Sequence, residues 1–213
     1  MCNDILNLVR YSPYNAFTNY GFIGTSELGY DSPGGLCEVK IRKIDDAVYQ
    51  LYASPGSKDY FYGFKKNGLA SCQVNLGAPA GTIVLTVGMN GCGLSVYKQA
   101  DCIKFFHVSD EHFEYLDDIP GIEIYRLSYR DRRNLSGSYD FFNRGQSLVD
   151  PDGQSYSLGS YFEHTNVCIK LKENKWGVFH SAILSQSTSS RPPTRQYSRF
   201  ISTVSEWLAS FEE

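Results

Sequence analysis

The chain has 213 residues, with 20 Lys plus Arg against 23 Asp plus Glu and a formal net charge of −3. That near-balance excludes a broad basic footprint for nucleic acid or anionic lipid, and no apolar run approaches the roughly 18 residues of a spanning helix. Hydrophobic residues at 42% and charged residues at 20% exclude wholesale disorder, and a chain of this length buries roughly 70% of its unfolded surface without disulfide or metal staples.

A single domain over residues 1–213 is expected. Sixteen Tyr, 13 Phe and 2 Trp favour strands and sheet-packed cores, while 19 Gly and 8 Pro supply turns. The composition therefore points to an α+β or β-rich chain. Residues 1–10, MCNDILNLVR, have no basic n-region or long apolar h-region, so no Sec-type signal peptide is expected.

Residues 37–44 alternate at Cys37, Val39 and Ile41 as a half-buried strand. Asp45-Asp46 turns it, and residues 47–52 read as its partner. Pro55-Gly56-Ser57 reads as a turn and residues 60–64 as a strand. Asn67-Gly68 signals a hairpin, followed by a strand over 71–76. The first 80 residues thus predict an antiparallel meander. Thr82 to Val87 reads as a central strand, with further strands over 94–97 and 102–108. Ser109 is a candidate N-cap for a short helix over 110–118, which Pro120-Gly121 stops before a strand over 122–127. Residues 130–165 read mostly as loop, and 167–172 with 176–184 as a hairpin. The stretch 185–198, SQSTSSRPPTRQYS, reads as a surface loop. Phe200, Ile201, Val204, Trp207, Leu208 and Phe211 then recur at helical spacing, which predicts an amphipathic C-terminal helix packed on a sheet.

Six cysteines stand at 2, 37, 72, 92, 102 and 168, with no Cys-x-x-Cys among them. Zinc and thioredoxin spacings are thus absent, and free thiols are expected. One of them, Cys92, pairs with His107 on paper. A two-residue turn centred on Gln99-Ala100 sets Cys92 opposite His107, Leu94 opposite Phe105 and Val96 opposite Ile103, all on one apolar face. A thiol beside an imidazole is the minimum for covalent acyl chemistry, because the imidazole lowers the thiol pKa and later protonates a leaving amine. Gly91 and Gly93 flank the cysteine, leaving room for a substrate and for an oxyanion on the Cys92 N–H.

Other polar residues carry weaker signals. The run from His107 to His112 has metal-ligand residue types, but its histidines fall on different elements. His164 reads as solvated in a loop and His180 as a half-buried strand residue. Arg191, Arg195 and Arg199 with Pro192-Pro193 read as a solvated loop, and Asp117-Asp118 as a helix end without an acid partner.

The segment from Thr86 to Cys92, TVGMNGC, followed by His107, resembles the Cys-His glutamine deamidase toxins. These include the catalytic domain of cytotoxic necrotizing factors and the free-standing Burkholderia lethal factor, with the chemotaxis receptor deamidases a more distant likeness. The family motif is Leu-Ser-Gly-Cys at the start of a strand. In the lethal factor type a Thr stands six residues before the Cys, and a His follows on the next strand. Thr86, Gly91, Cys92 and His107 match; Met89-Asn90 stands where the family has Leu-Ser.

The resemblance implies an α+β fold with a large, mostly antiparallel, sandwich-like β core flanked by helices. It implies a protein-glutamine deamidase with Cys92 as nucleophile, His107 as acid and base, and Thr86 orienting the imidazole. Asn90 and Gly91 are expected to contact substrate. Neither cofactor nor metal is needed. The expected partner is a target protein of the host, with no nucleic acid and no membrane. The chain is expected to be a monomer, a bacterial toxin or effector delivered to the host-cell cytosol. Two other readings stay open: transglutamination through the same thioester, and a non-catalytic binding module with a Tyr-rich surface.

Overall fold

The computed structural model describes residues 2–29, 32–89, 91–128, 147–149, 155–188 and 198–213. Two α-helices open the chain, α1 (Cys2–Tyr11) and α2 (Pro13–Asn19). In α1, Ile5 and Val9 stand four residues apart and share the buried stripe, with Asp4 in the first turn and Arg10 in the last. Pro13 starts α2, where its missing N–H leaves no intrahelical bond unmade. The helices cover one face of an eight-stranded sheet, packing Ile5, Val9 and Phe17 on Phe61, Leu85, Ile169 and Phe179.

That sheet contains β1 (Gly21–Ser26), β2 (Gly35–Asp45), β3 (Val48–Tyr62), β5 (Ile83–Thr86), β9 (Ser147–Val149), β10 (Ser155–Lys172), β11 (Lys175–Thr188) and β12 (Ser198–Glu212). A four-stranded sheet runs β4-β7-β6-β8, from β4 (Leu69–Asn75), β6 (Gly93–Lys98), β7 (Cys102–Val108) and β8 (Ile122–Leu127). Among the described residues eight of the ten strand pairings are antiparallel; β1 with β3 and β3 with β5 are parallel. A second apolar cluster draws on both sheets. Val84, Cys168, Trp176 and Val178 come from the larger sheet, and Val74, Leu94, Val96 and Phe105 from the smaller.

Several expectations need correction. The start of the chain is helical, and β1 runs parallel to β3, so the first 80 residues are not a meander. The apolar stripe of α1 was there to be read. Residues 55–58 loop out within β3, since the register passes from Cys37↔Asp59 to Glu38↔Ser54. Asn67-Gly68 is no hairpin turn but the passage between sheets: β3 lies in one, and β4 pairs with β7 in the other. Residues 109–116 form two short 3-10 turns, not an α-helix, because Asp110 and Glu111 adopt left-handed φ values of 49° and 58°.

The largest correction is at the C-terminus, where 198–212 is a strand and not an amphipathic helix. Its register against β11 shifts twice, so residues 203 and 208 each stand as an extra residue. Each extra residue reverses the inward-outward phase. A period of two interrupted every few residues reads as spacings of three and four, which is the pattern of a helix. The expected loop over 130–165 is also overturned at 147–149 and from 155 onward, where the chain runs in β9 and β10; residues 130–146 and 150–154 lie outside the described residues. Of the expected basic loop, Arg191 and Arg195 lie outside them too, and Arg199 stands in β12. No helix among the described residues is long and apolar enough to cross a membrane.

All six cysteines are free thiols. Burial, helped by the neighbouring Asp59 charge, pushes the Cys37 thiol up to about 12. Burial also raises Cys72 and Cys168. Thiolate is the reactive form, so iodoacetamide at about pH 8 leaves these three unmodified in the folded protein and reacts with them after denaturation. Peptide mapping before and after unfolding checks this.

Candidate active site

The hairpin of β6 and β7 pairs Leu94 with His107 and Val96 with Phe105. Gln99 N–H donates to the Cys102 carbonyl at 2.9 Å, which closes a turn on Ala100-Asp101. The expected turn, on Gln99-Ala100, is one residue early, so Cys92 is not directly opposite His107. Moving the turn centre by one residue moves the partner by two, and side chains alternate with period two. The faces are therefore preserved: Cys92, Leu94, Val96, Ile103 and Phe105 share the inter-sheet cluster. Cys92 stands one residue before β6, and the register carried back from Leu94 sets it diagonal to His107. Diagonal pairs have Cβ atoms no more than about 7–8 Å apart.

His107 is fully buried on β7. Its Nδ1 lies 3.0 Å from Oγ1 of Thr86, the last residue of β5. The bond crosses from the larger sheet to the smaller. Tyr62 and Phe64 meet the imidazole edge-on, with ring centroids at 6.3 and 5.5 Å. The ring is thus held by a polar contact and two aromatic walls.

Cys92 is only 4% exposed. Little of the residue is accessible, because it packs in the inter-sheet layer with Met89 and Leu94. The two flanking glycines differ. Gly91 has φ +85°, a left-handed backbone that glycine adopts without strain. A Cβ there would meet no atom closer than Asp110 Oδ1 at 3.9 Å. At Gly93 a Cβ would stand 2.4 Å from Phe113 Cζ, so that glycine makes room for a ring of the protein and not for a substrate. Asn90, the other expected substrate contact, lies outside the described residues.

Behind the Thr86–His107 bond lies a polar group of which the sequence reading saw only part. Cys168, one position from Val167, shares its face of β10 with Asn166 and His164; the three are 1% exposed. Asn166 pairs with His180 of β11. His164 Nδ1 and His180 Nε2 are 3.1 Å apart, with ring planes 2° from parallel and centroids 5.3 Å apart. Nitrogens that close with centroids that far apart mean that the rings lie end-on in a common plane and do not stack face to face. His164 is thus neither in a loop nor solvated, and His180 is fully buried. The signal was in the β10–β11 hairpin: extended past Val167↔Phe179, its register brings Asn166 to His180.

The loop before Cys92 is tied to this group. Met89 N–H donates to the His164 carbonyl at 2.7 Å, and Asn166 Nδ2 donates to Met89 Sδ at 3.1 Å. Thr86, Met89, Cys92, His107, Asn166 and His164 therefore form one buried polar end of the inter-sheet layer. A cavity of about 690 Å³ opens elsewhere, beside Leu76, Lys98, Lys170 and Glu213. There Lys170 is already engaged by Glu213 and the Trp176 ring. Among the described residues no three His, Cys, Asp or Glu groups converge on a metal site. Compared with known proteins, the chain matches no family model and no curated protein.

Proposed function

We propose that the chain is a protein-glutamine deamidase in which Cys92 is the nucleophile, His107 the acid and base, and Thr86 the residue that orients the imidazole. The observation that carries the reading is the 3.0 Å contact between Thr86 Oγ1 and His107 Nδ1. It joins two residues that the Thr-x5-Cys and His pattern singles out, across 21 positions and two sheets. On this reading the sheets form a sandwich and residues 1–213 one deamidase-like domain.

With Nδ1–H donating to Thr86 Oγ1, Nε2 is the basic nitrogen, and it takes the Cys92 proton. The thiolate attacks the side-chain carbonyl carbon of a glutamine, forming a C–S bond and an oxyanion that the Cys92 N–H is suited to hold. Collapse breaks the C–N bond, and the imidazolium gives its proton to the departing ammonia. Water, deprotonated by His107, then attacks the thioester. The products are glutamate and free thiol, so the balance is one amide and one water to one carboxylate and one ammonia. The open side of Gly91 is the approach for a side chain. The substrate is a protein, and in keeping with the toxin family we place it in the host cytosol.

The test is conversion of Gln to Glu in candidate protein substrates, read by mass spectrometry with ammonia released in parallel. Deamidation gives one ammonia per Glu formed and no capture of an added primary amine; amine capture in place of Glu assigns the thioester to transglutamination. Neither ammonia nor amine incorporation over a broad substrate set overturns the reading. Thr86→Val keeps the side-chain shape and removes the hydroxyl. It should lower kcat by about 10–100-fold, less than loss of the imidazole, since the hydroxyl only orients the ring.

A further inference from the structure

We infer that Asn166 is a specificity-determining residue, whose own carboxamide pairs with the primary carboxamide of the substrate glutamine; this rests on the deamidase reading. Asn166 is 1% exposed, yet its Oδ1 has no hydrogen-bond partner among the described residues. Buried polar atoms are nearly always satisfied, and an orphan acceptor asks for an explanation. Its Nδ2 is no better engaged, since it donates only to the Met89 sulfur, a weak acceptor. A core asparagine held for structure would have both ends bonded.

The position supplies the explanation. The β5–β10 register runs Ile83↔Ile169, Val84↔Cys168, Leu85↔Val167, and one step further sets Thr86 beside Asn166. Thr86 reaches His107, and the residue that Asn166 touches, Met89, is three before Cys92. Asn166 therefore lies in the same buried polar end as the reacting groups. A primary amide is self-complementary: it offers one N–H donor and one carbonyl acceptor side by side. Asn166 Oδ1 accepts from the substrate NH2 group, and Nδ2, leaving the sulfur, donates to the substrate carbonyl oxygen. A carboxylate in the same place has no N–H to give, so the pair favours Gln over Glu and promotes product release.

The test compares alkylation of Cys92 by iodoacetamide and by iodoacetate, followed by mass spectrometry, in the wild-type chain and in Asn166→Leu and Asn166→Ala. The first reagent carries a primary carboxamide and the second a carboxylate. The expected result is an amide-to-acid rate ratio that falls about tenfold in both variants, the worth of one or two hydrogen bonds, with the iodoacetate rate held. Both variants should melt within about 5 °C of wild type, because they remove a polar group that is poorly satisfied in the core. A larger fall in both makes Asn166 a structural residue and overturns the inference. An unchanged ratio overturns it too, and if the wild-type chain still converts Gln to Glu, the deamidase reading survives. A wild-type Cys92 no more reactive than in the unfolded chain, with no Gln converted, removes that reading and this inference with it.

Discussion

Replacing Cys92 with serine should lower Gln-to-Glu conversion by at least about 10³-fold, since loss of a nucleophile costs roughly 10³–10⁶ in comparable enzymes. The hydroxyl remains protonated near neutral pH and is the poorer nucleophile, even with His107 in place. His107→Ala should fall as far, and the double variant should be no worse than the worse single one, because the two side chains act as a unit. Stability should move by no more than about 1–2 kcal/mol in Cys92→Ser, as the substitution keeps the shape of a side chain packed between Met89 and Leu94. Conversion is read by mass spectrometry and stability by denaturant titration. If Cys92→Ser keeps full conversion while His107→Ala does not, the thiol is not the nucleophile; if the wild-type chain converts no Gln at all, the binding-module reading replaces the enzyme.

Asp59→Ala should produce the largest loss of stability, about 3–5 kcal/mol, or roughly 6–20 °C in thermal midpoint for a chain of this size. Asp59 is fully buried and Arg10 nearly so. Asp59 Oδ1 accepts from Arg10 NH1 at 2.7 Å and from the Ile83 N–H at 3.0 Å; Oδ2 accepts from Arg10 NH2 at 2.6 Å and from the Val39 N–H at 2.9 Å. Arg10 also donates to the Gly81 carbonyl. One carboxylate thus ties α1, β2, β3 and β5 together. Its removal leaves a guanidinium and two backbone N–H groups buried without their acceptor, and the desolvation of the arginine is then uncompensated. A loss under about 1 kcal/mol in a denaturant titration would show that the fold does not lean on this network.

The strands that follow a plain rule were legible from the sequence. Residues 37–44 alternate and form most of β2, residues 102–108 are β7 as read, and 122–127 are β8 as read. The apolar face of the β6–β7 hairpin was legible even though the turn was misplaced, because a two-residue change of partner leaves every side chain on its own side. β12 was not legible, because two extra residues in its ladder break the alternation that would have identified it. The parallel entry of β1 beside β3 was not legible either, since a parallel partner leaves no turn signal between the two strands.

Of the candidate site, His107 was found from its hairpin spacing to Cys92 and Thr86 from the family resemblance, and their contact is present. Asn166 and the paired histidines were missed for a different reason. Residues 155–165 are polar and rich in Tyr and Ser, which reads as loop, yet they belong to a strand whose polar side chains at His164 and Asn166 face inward. Buried polarity on a strand is invisible to a hydrophobic period, and only the length of the hairpin could have disclosed it.

The contact between Thr86 and His107 has a mechanical side. The imidazole is mounted on one sheet and the hydroxyl bonded to it on the other, so the length of that bond gauges how the two layers are seated. A shear between the layers would lengthen it while every ladder within each sheet stayed intact. On the deamidase reading, a load on the outer strands β4 or β8 would then detune the imidazole from a distance, without touching the thiol.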